Sequence, residues 1–257
     1  MNDIILELGN LSLGYGSKCI FGGIGASVRS GDLIALCGAN GVGKSTLLRT
    51  IAGLEPVFSG KLFLSGIDYR ELRHKRIAEQ VAFVPSLPAR ARNLSVGEML
   101  ATNCYFRTGI LGNIGRRDKE LISEALEEVS LGGFEDRDSY SLSDGEYQRV
   151  AIAGAIVKDG GVIVLDEPSA FLDAANKVLV TDLLKQIAHD RGKAVIFSTH
   201  DIPLALDYCD RMWLMCADGS FYDKTPQETI SSGVLDKIFK ISDLKYDPLR
   251  HAFRKVR

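Results

Sequence analysis

No stretch of the 257-residue chain approaches the roughly 18 consecutive apolar residues of a membrane-spanning helix. The apolar runs are as short as Val162 to Leu165, so the chain is not expected to cross a bilayer by itself. The first ten residues carry Asp3 and Glu7 without a basic lead-in, and do not read as a secretory signal. The five cysteines (Cys19, Cys37, Cys104, Cys209, Cys216) are odd in number and form no CxxC pair. That argues against a disulfide framework or a zinc site, and for reduced, mostly buried thiols. Charge of one sign is also lacking: 31 Lys and Arg face 33 Asp and Glu, a net charge of -2. No global field draws nucleic acid or acidic lipid, so any polyanion must be gripped locally. There is no internal repeat, low-complexity tract or linker-like stretch. What is present, 46% hydrophobic and 25% charged residues, excludes disordered and fibrous classes and fits one sizeable core with an inserted subdomain.

Ile4 to Leu8 and Leu11 to Tyr15 have strand character, and Leu33 to Cys37 is apolar enough for a strand buried on both faces. A glycine-rich turn follows, then a helix with Leu47, Leu48, Ile51 and Ala52 on one face, ending at Gly53. Leu62 to Leu64 and Val81 to Val84 read as strands, and the basic stretch Arg70 to Arg76 between them as a solvated helix face. Ser95 and Glu98 have capping-box spacing, and Leu121, Ile122, Ala125, Leu126 and Val129 form a helical stripe, so residues 87–157 read as a helical insertion. Strand patterns return at Val162 to Leu165, Ala194 to Ser198 and Arg211 to Met215, with a helix marked by Leu179, Leu183, Leu184 and Ile187. The basic tail from Phe239 reads as a solvated terminal helix or extension. The expected fold is α/β, with a mixed β-sheet core, an N-terminal antiparallel β part and an inserted α-helical subdomain.

Gly38, Ala39, Asn40, Gly41, Val42, Gly43, Lys44 and Ser45 make a complete GxxxxGK[ST] motif between a buried strand and a helix, the context a P-loop needs. Glycines let backbone N–H groups turn toward phosphate oxygens, the helix N-terminus adds positive potential, and the Lys44 ammonium reaches the β and γ phosphates. Ser45 offers a hydroxyl to Mg²⁺, and Thr46 follows it in the nucleotide-binding run. Val162 to Leu165 ends in Asp166 and Glu167. Neighbours at a strand end point in different directions, so Asp166 can face a metal while Glu167 faces the γ-phosphate and takes a proton from attacking water.

Leu142, Ser143, Asp144, Gly145 and Glu146, running into Tyr147, Gln148 and Arg149, resemble the LSGGQ signature of the ATP-binding-cassette family, with Ser143 and Gly145 in place. The resemblance extends over nearly the whole chain and implies the P-loop NTPase fold of that family. Residues 1–86 and 158–257 would form its core, and residues 87–157 its helical subdomain. Tyr15 resembles the aromatic that stacks on adenine. Ser169 to Asp173 resembles the loop linking two sites, and Ser198, Thr199, His200 and Asp201 the switch-histidine segment. In the family the signature covers the ATP of an opposing subunit, which implies an ATP-dependent homodimer. It also implies integral membrane permease subunits, a substrate-binding protein reached through them, and a peripheral place on the cytoplasmic face of the cell membrane.

Two departures stand out. Ser86 follows Val81 to Pro85 where the family has a glutamine, so weakened hydrolysis or altered coupling is expected. Asp144 and Glu146 put carboxylates near a polyanion, which is costly unless they turn to Arg149 or to solvent. The resemblance implies an ATPase that powers an importer, with ATP and Mg²⁺ as cofactors. Lys44 would bind phosphate, Ser45 and Asp166 the metal, with Glu167 as base and His200 as switch. Loose similarities, among them Arg70-Glu71-Leu72 to Pro85 and the run from Thr225 to Phe239, point to iron-siderophore, haem or cobalamin cargo. A soluble cassette ATPase of iron–sulfur assembly, or a nucleotide-gated binding subunit with weak hydrolysis, remains open. With one P-loop and no sustained heptads, nucleic acid is not an expected partner.

Overall fold

The computed structural model describes residues 4–86, 90, 92–104, 114–238, 244–247 and 252–255. Two 12-residue strands open the chain, β1 (Ile4–Tyr15) and β2 (Lys18–Arg29). With β4 (Ser59–Leu64) and β5 (Ile67–Asp68) they form an antiparallel sheet of order β2-β1-β4-β5. The runs Ile4 to Leu8 and Leu11 to Tyr15 are one continuous strand with an irregularity at Gly9-Asn10: Asn10 takes φ 49° and the register with both neighbours shifts there. Gly60 on β4 is fixed by this crossing, since a Cβ there would lie 2.2 Å from the Asn10 carbonyl oxygen.

The second sheet has six strands in the order β10-β9-β3-β8-β7-β6. These are β3 (Leu33–Gly38), β6 (Val81–Val84), β7 (Val162–Leu165), β8 (Ala194–Thr199), β9 (Arg211–Met215) and the antiparallel edge strand β10 (Phe221–Lys224). The other five run parallel. Their uninterrupted apolar runs follow from cover on both faces. Leu33, Ala35 and Cys37 of β3, with Ile163 and Leu165 of β7, enter one apolar cluster; Ile34 and Leu36, with Val162 and Val164, enter the other. The second cluster joins this sheet to the antiparallel one and encloses helix α1 (Lys44–Ile51) through Leu47, Leu48 and Ile51.

The first cluster holds α3 (Val96–Ala101), α4 (Arg116–Glu128), α5 (Asp144–Lys158) and α6 (Ala174–Arg191). The expected capping box is present: Glu98 N–H donates to Ser95 Oγ at 3.1 Å, and Ser95 N–H to Glu98 Oε2 at 2.8 Å. Ile122, Ala125, Leu126 and Val129 are buried as their spacing requires. Leu179 departs from its expected stripe: it is 57% exposed on α6, while Leu183, Leu184 and Ile187 are buried. The helix expected over Arg70 to Arg76 begins only at His74 (α2, His74–Gln80) and is preceded by an exposed turn. Two short helices, α7 (Ile202–Tyr208) and α8 (Pro226–Ser231), flank β9 and β10 in sequence. In the tail, expected as a helix or extension, β11 (Leu244–Asp247) and β12 (Ala252–Lys255) pair antiparallel; Phe239, Lys240, Arg250 and Arg257 lie outside the described residues. Among the described residues, no helix is long and apolar enough to cross a membrane.

Candidate functional site

Three parallel strands, β3, β7 and β8, deliver the candidate residues to one edge of the sheet, at the carboxyl ends where open α/β sheets hold their ligands. β3 ends at Gly38, where a Cβ would sit 2.7 Å from the Met215 carbonyl oxygen. Its close approach to β9 admits no side chain without displacement. Gly41 and Gly43 take φ 76° and 118°, a region open to glycine and costly for other residues. Lys44, the first residue of α1, is only 6% exposed and turns its ammonium back over the loop. Nζ donates to the carbonyls of Gly38 at 3.0 Å and Ala39 at 3.3 Å, and stands 3.4 Å from His200 Nε2. Burial lowers the Lys44 pKa from its ordinary value, opposed by the attraction of Glu167.

Asp166 and Glu167 follow β7. Asp166 is buried, and its N–H donates to the Val84 carbonyl at 2.9 Å. Ser198, fully buried near the end of β8, joins the two acids: its hydroxyl donates to Asp166 Oδ1 at 2.7 Å and accepts from the Glu167 N–H at 2.8 Å. Glu167 takes φ 49°, a left-handed conformation that costs a non-glycine residue of order 1–3 kcal/mol. Its carboxylate meets His200, with Oε1 2.8 Å from Nε2. An acid, an imidazole and an ammonium thus form a contiguous chain, and a carboxylate so held can accept a proton from a nucleophile beside bound phosphate.

Ser45 is exposed and beyond Lys44 on the same helical turn, while Asp166 keeps Oδ2 outside its bond to Ser198. A hydroxyl and a carboxylate are hard oxygen donors of the kind Mg²⁺ takes, so the donor set fits that ion. Tyr15, at the end of β1 and 48% exposed, places its hydroxyl 3.4 Å from Thr46 Oγ1, which sets the ring beside the loop. Ser169 is buried and lines a cleft of about 320 Å³ with Glu167, Lys177 and His200. Asp173 caps α6, accepting from Asn176 N–H at 2.8 Å.

The Leu142 to Glu146 segment starts α5. Ser143 is the N-cap: its N–H and hydroxyl both donate to Glu146 Oε2, at 2.8 and 2.7 Å. These two bonds hold the Glu146 carboxyl below the usual carboxylate range. Both acids find cations other than Arg149, which adds only a weaker attraction to Glu146. Asp144 pairs with Arg90, and Glu146 lies 3.5 Å from Arg137. Ser86 faces Glu167 across a cleft of about 140 Å³, whose lining includes Gln148 and Phe171. Gln148 is 7% exposed and its Nε2 has no hydrogen-bond partner among the described residues. Its part in the site went unassigned at the level of sequence, although it lies within the signature run. Arg90 and the bridging role of Ser198 were also missed. Arg90 had no signal at all, because its partners lie 50 to 54 residues away.

Comparison with known proteins places this geometry in a family. The ABC transporter family model matches residues 21–170. An achromobactin transport ATP-binding protein of Dickeya dadantii is 30% identical over 94% of this chain and 90% of its own. An iron(3+)-hydroxamate import ATP-binding protein of Bacillus subtilis is 28% identical over 96% and 92%. A solved ABC transporter in an inward-facing conformation superposes with a TM-score of 0.81 at 24% identity, covering 98% and 96%, which speaks for the fold. With its P-loop, strand-end acids and ABC-type architecture, this chain belongs to the ABC transporter family and is an ATP-binding, ATP-hydrolysing subunit coupled to transport.

Proposed function

We propose that two copies of this chain close head to tail around two ATP molecules to drive an importer for a ferric siderophore or a similar metal chelate. Lys44 and the amides of Gly38 to Thr46 hold the phosphates, and Tyr15 stacks on the adenine. Glu167 takes the proton of the attacking water, and His200 holds that carboxylate toward the γ-phosphate. The observation that carries this reading is the chain Lys44 Nζ, His200 Nε2, Glu167 Oε1, with separations of 3.4 and 2.8 Å. Ser45 and Asp166 would hold Mg²⁺, which, when bound, offsets negative charge on the phosphate oxygens.

Leu142, Ser143, Asp144, Gly145 and Glu146 cover the opposing nucleotide, and Ser169 and Asp173 link the two sites. Residues 87–157 act as the helical subdomain beside a core of 1–86 and 158–257. Integral membrane permease subunits dock around the Ser86 loop on the cytoplasmic face of the membrane, and a substrate-binding protein delivers cargo to them. The names of the Dickeya and Bacillus relatives support the cargo class.

The test is uptake of a labelled ferric siderophore by cells from which the gene has been removed. Uptake should fall and return with the wild-type gene but not with Lys44→Ala. Undiminished uptake in the deletion strain, across several ferric siderophores, would overturn the cargo.

A further inference from the structure

Asp144 places a carboxylate on the first turn of α5, where the family signature has a glycine and where a triphosphate is to be covered. An unpaired anion there repels the ligand it must admit. Arg90 answers this with its whole guanidinium: Nη2 binds Asp144 Oδ1 at 2.5 Å, Nη1 donates to the Leu142 carbonyl at 2.7 Å, and the group lies 5.0 Å from the Tyr147 ring centroid. The two hydrogen bonds straddle Ser143, so the serine turn is gripped from both sides. As a stability device such a pair is weak, since Asp144 is 77% exposed. Its fixed geometry comes instead from the carbonyl bond and the ring, and Arg90 lines the same cleft as Ser86, Gln148 and Glu167.

We propose that Arg90 is a positioning residue for the signature segment. It neutralises Asp144 so that an acidic signature can close on the partner's triphosphate, and the same side chain fixes the Leu142 carbonyl. This rests on reading Leu142 to Glu146 as the cover of the opposing nucleotide. The arginine and the aspartate are one unit: an acidic signature is admissible because the compensating cation is built into the same subunit.

The test uses the full chain carrying Glu167→Gln, followed by light scattering for dimer formation over an ATP series. Added to that parent, Arg90→Ala should raise the ATP needed for dimerisation about tenfold, the order expected for one uncompensated charge near a polyphosphate. Arg90→Lys, which keeps the charge and loses the fork, should raise it less. Adding Asp144→Asn to Arg90→Ala should return the ATP requirement most of the way to the parent, a rescue that loss of packing alone would not give. Melting temperature and binding of a fluorescent ATP analogue to the monomer separate a folding defect from a closure defect. Dimerisation of Arg90→Ala at the parent's ATP level, or no recovery on adding Asp144→Asn, would overturn the proposal. A parent that stays monomeric with ATP would remove the dimer reading, and this proposal with it.

Discussion

Replacing Ser198 by alanine removes one hydroxyl that serves both strand-end acids. Ser198 donates to Asp166 Oδ1 at 2.7 Å and accepts from the Glu167 N–H at 2.8 Å, and it is fully buried. A hydrogen bond to a charged group contributes roughly 1.5–3 kcal/mol, and a donor left unsatisfied costs about 1–3 kcal/mol. The two losses overlap, because both groups relax, so the expected destabilisation is about 2–4 kcal/mol. For a chain of this size each kcal/mol lowers the melting temperature by about 2–4 °C, which sets the expected drop at roughly 4–16 °C. The bond to the Glu167 N–H also helps hold the φ of 49° at that residue. Once it is lost, the carboxylate swings from its position beside His200, and turnover falls by about tenfold or more, as misplacement of a reacting group does. Thermal melts and phosphate release on the same preparation measure both effects. A Ser198→Ala protein with the melting temperature and turnover of the wild type would refute the assignment of Ser198 as the brace of Asp166 and Glu167.

Lys44→Ala should weaken binding of a fluorescent ATP analogue by at least about tenfold, because the ammonium turns back over the loop after β3 and charge-assisted bonds to phosphate are the strong ones; unchanged affinity would contradict its role. Ser86→Gln puts a longer amide into the cleft shared with Glu167, and basal turnover should rise. Equal turnover in both proteins would make the serine neutral. Glu146 has a depressed pKa in the folded chain, so its ionised form stabilises the α5 N-terminus above the unfolded carboxylate pKa, and that contribution is lost as pH falls through the folded value. The melting-temperature gap between wild type and Glu146→Gln should therefore be open near neutral pH and close below about pH 4.5. A gap independent of pH would show that the carboxylate charge is not what caps the helix.

The parallel strands and the P-loop were legible in the sequence because each carries a local signal. Both faces of Leu33 to Cys37 and Val162 to Leu165 are covered, so their composition alone declares them, and the glycine loop has fixed spacing. The strand Lys18–Arg29 escaped notice because its pattern is broken by Gly22, Gly23 and Gly25 and by register shifts against β1. Phe221–Lys224, an edge strand, is half-buried along its length and shows no alternation. Leu179 looked like core because it lies four residues before Leu183, yet α6 turns that position to solvent. In the site, motif residues were readable by position, whereas their supports were not. Ser198 acts across strands, and Arg90 reaches Leu142 and Asp144 from 52 and 54 residues away. Such contacts are made by the fold and leave no periodicity behind.

Shared sites in a dimer with Glu167 as base are measured most simply by phosphate release from Mg-ATP by the purified chain, wild type against Glu167→Gln, across protein concentration. A dimer that shares its sites and uses Glu167 as base predicts turnover per chain that rises with concentration in the wild type. It predicts almost none in Glu167→Gln, which should still bind ATP and accumulate as a dimer. Turnover that persists in Glu167→Gln, or that is independent of concentration down to fully dissociated chains, would contradict it.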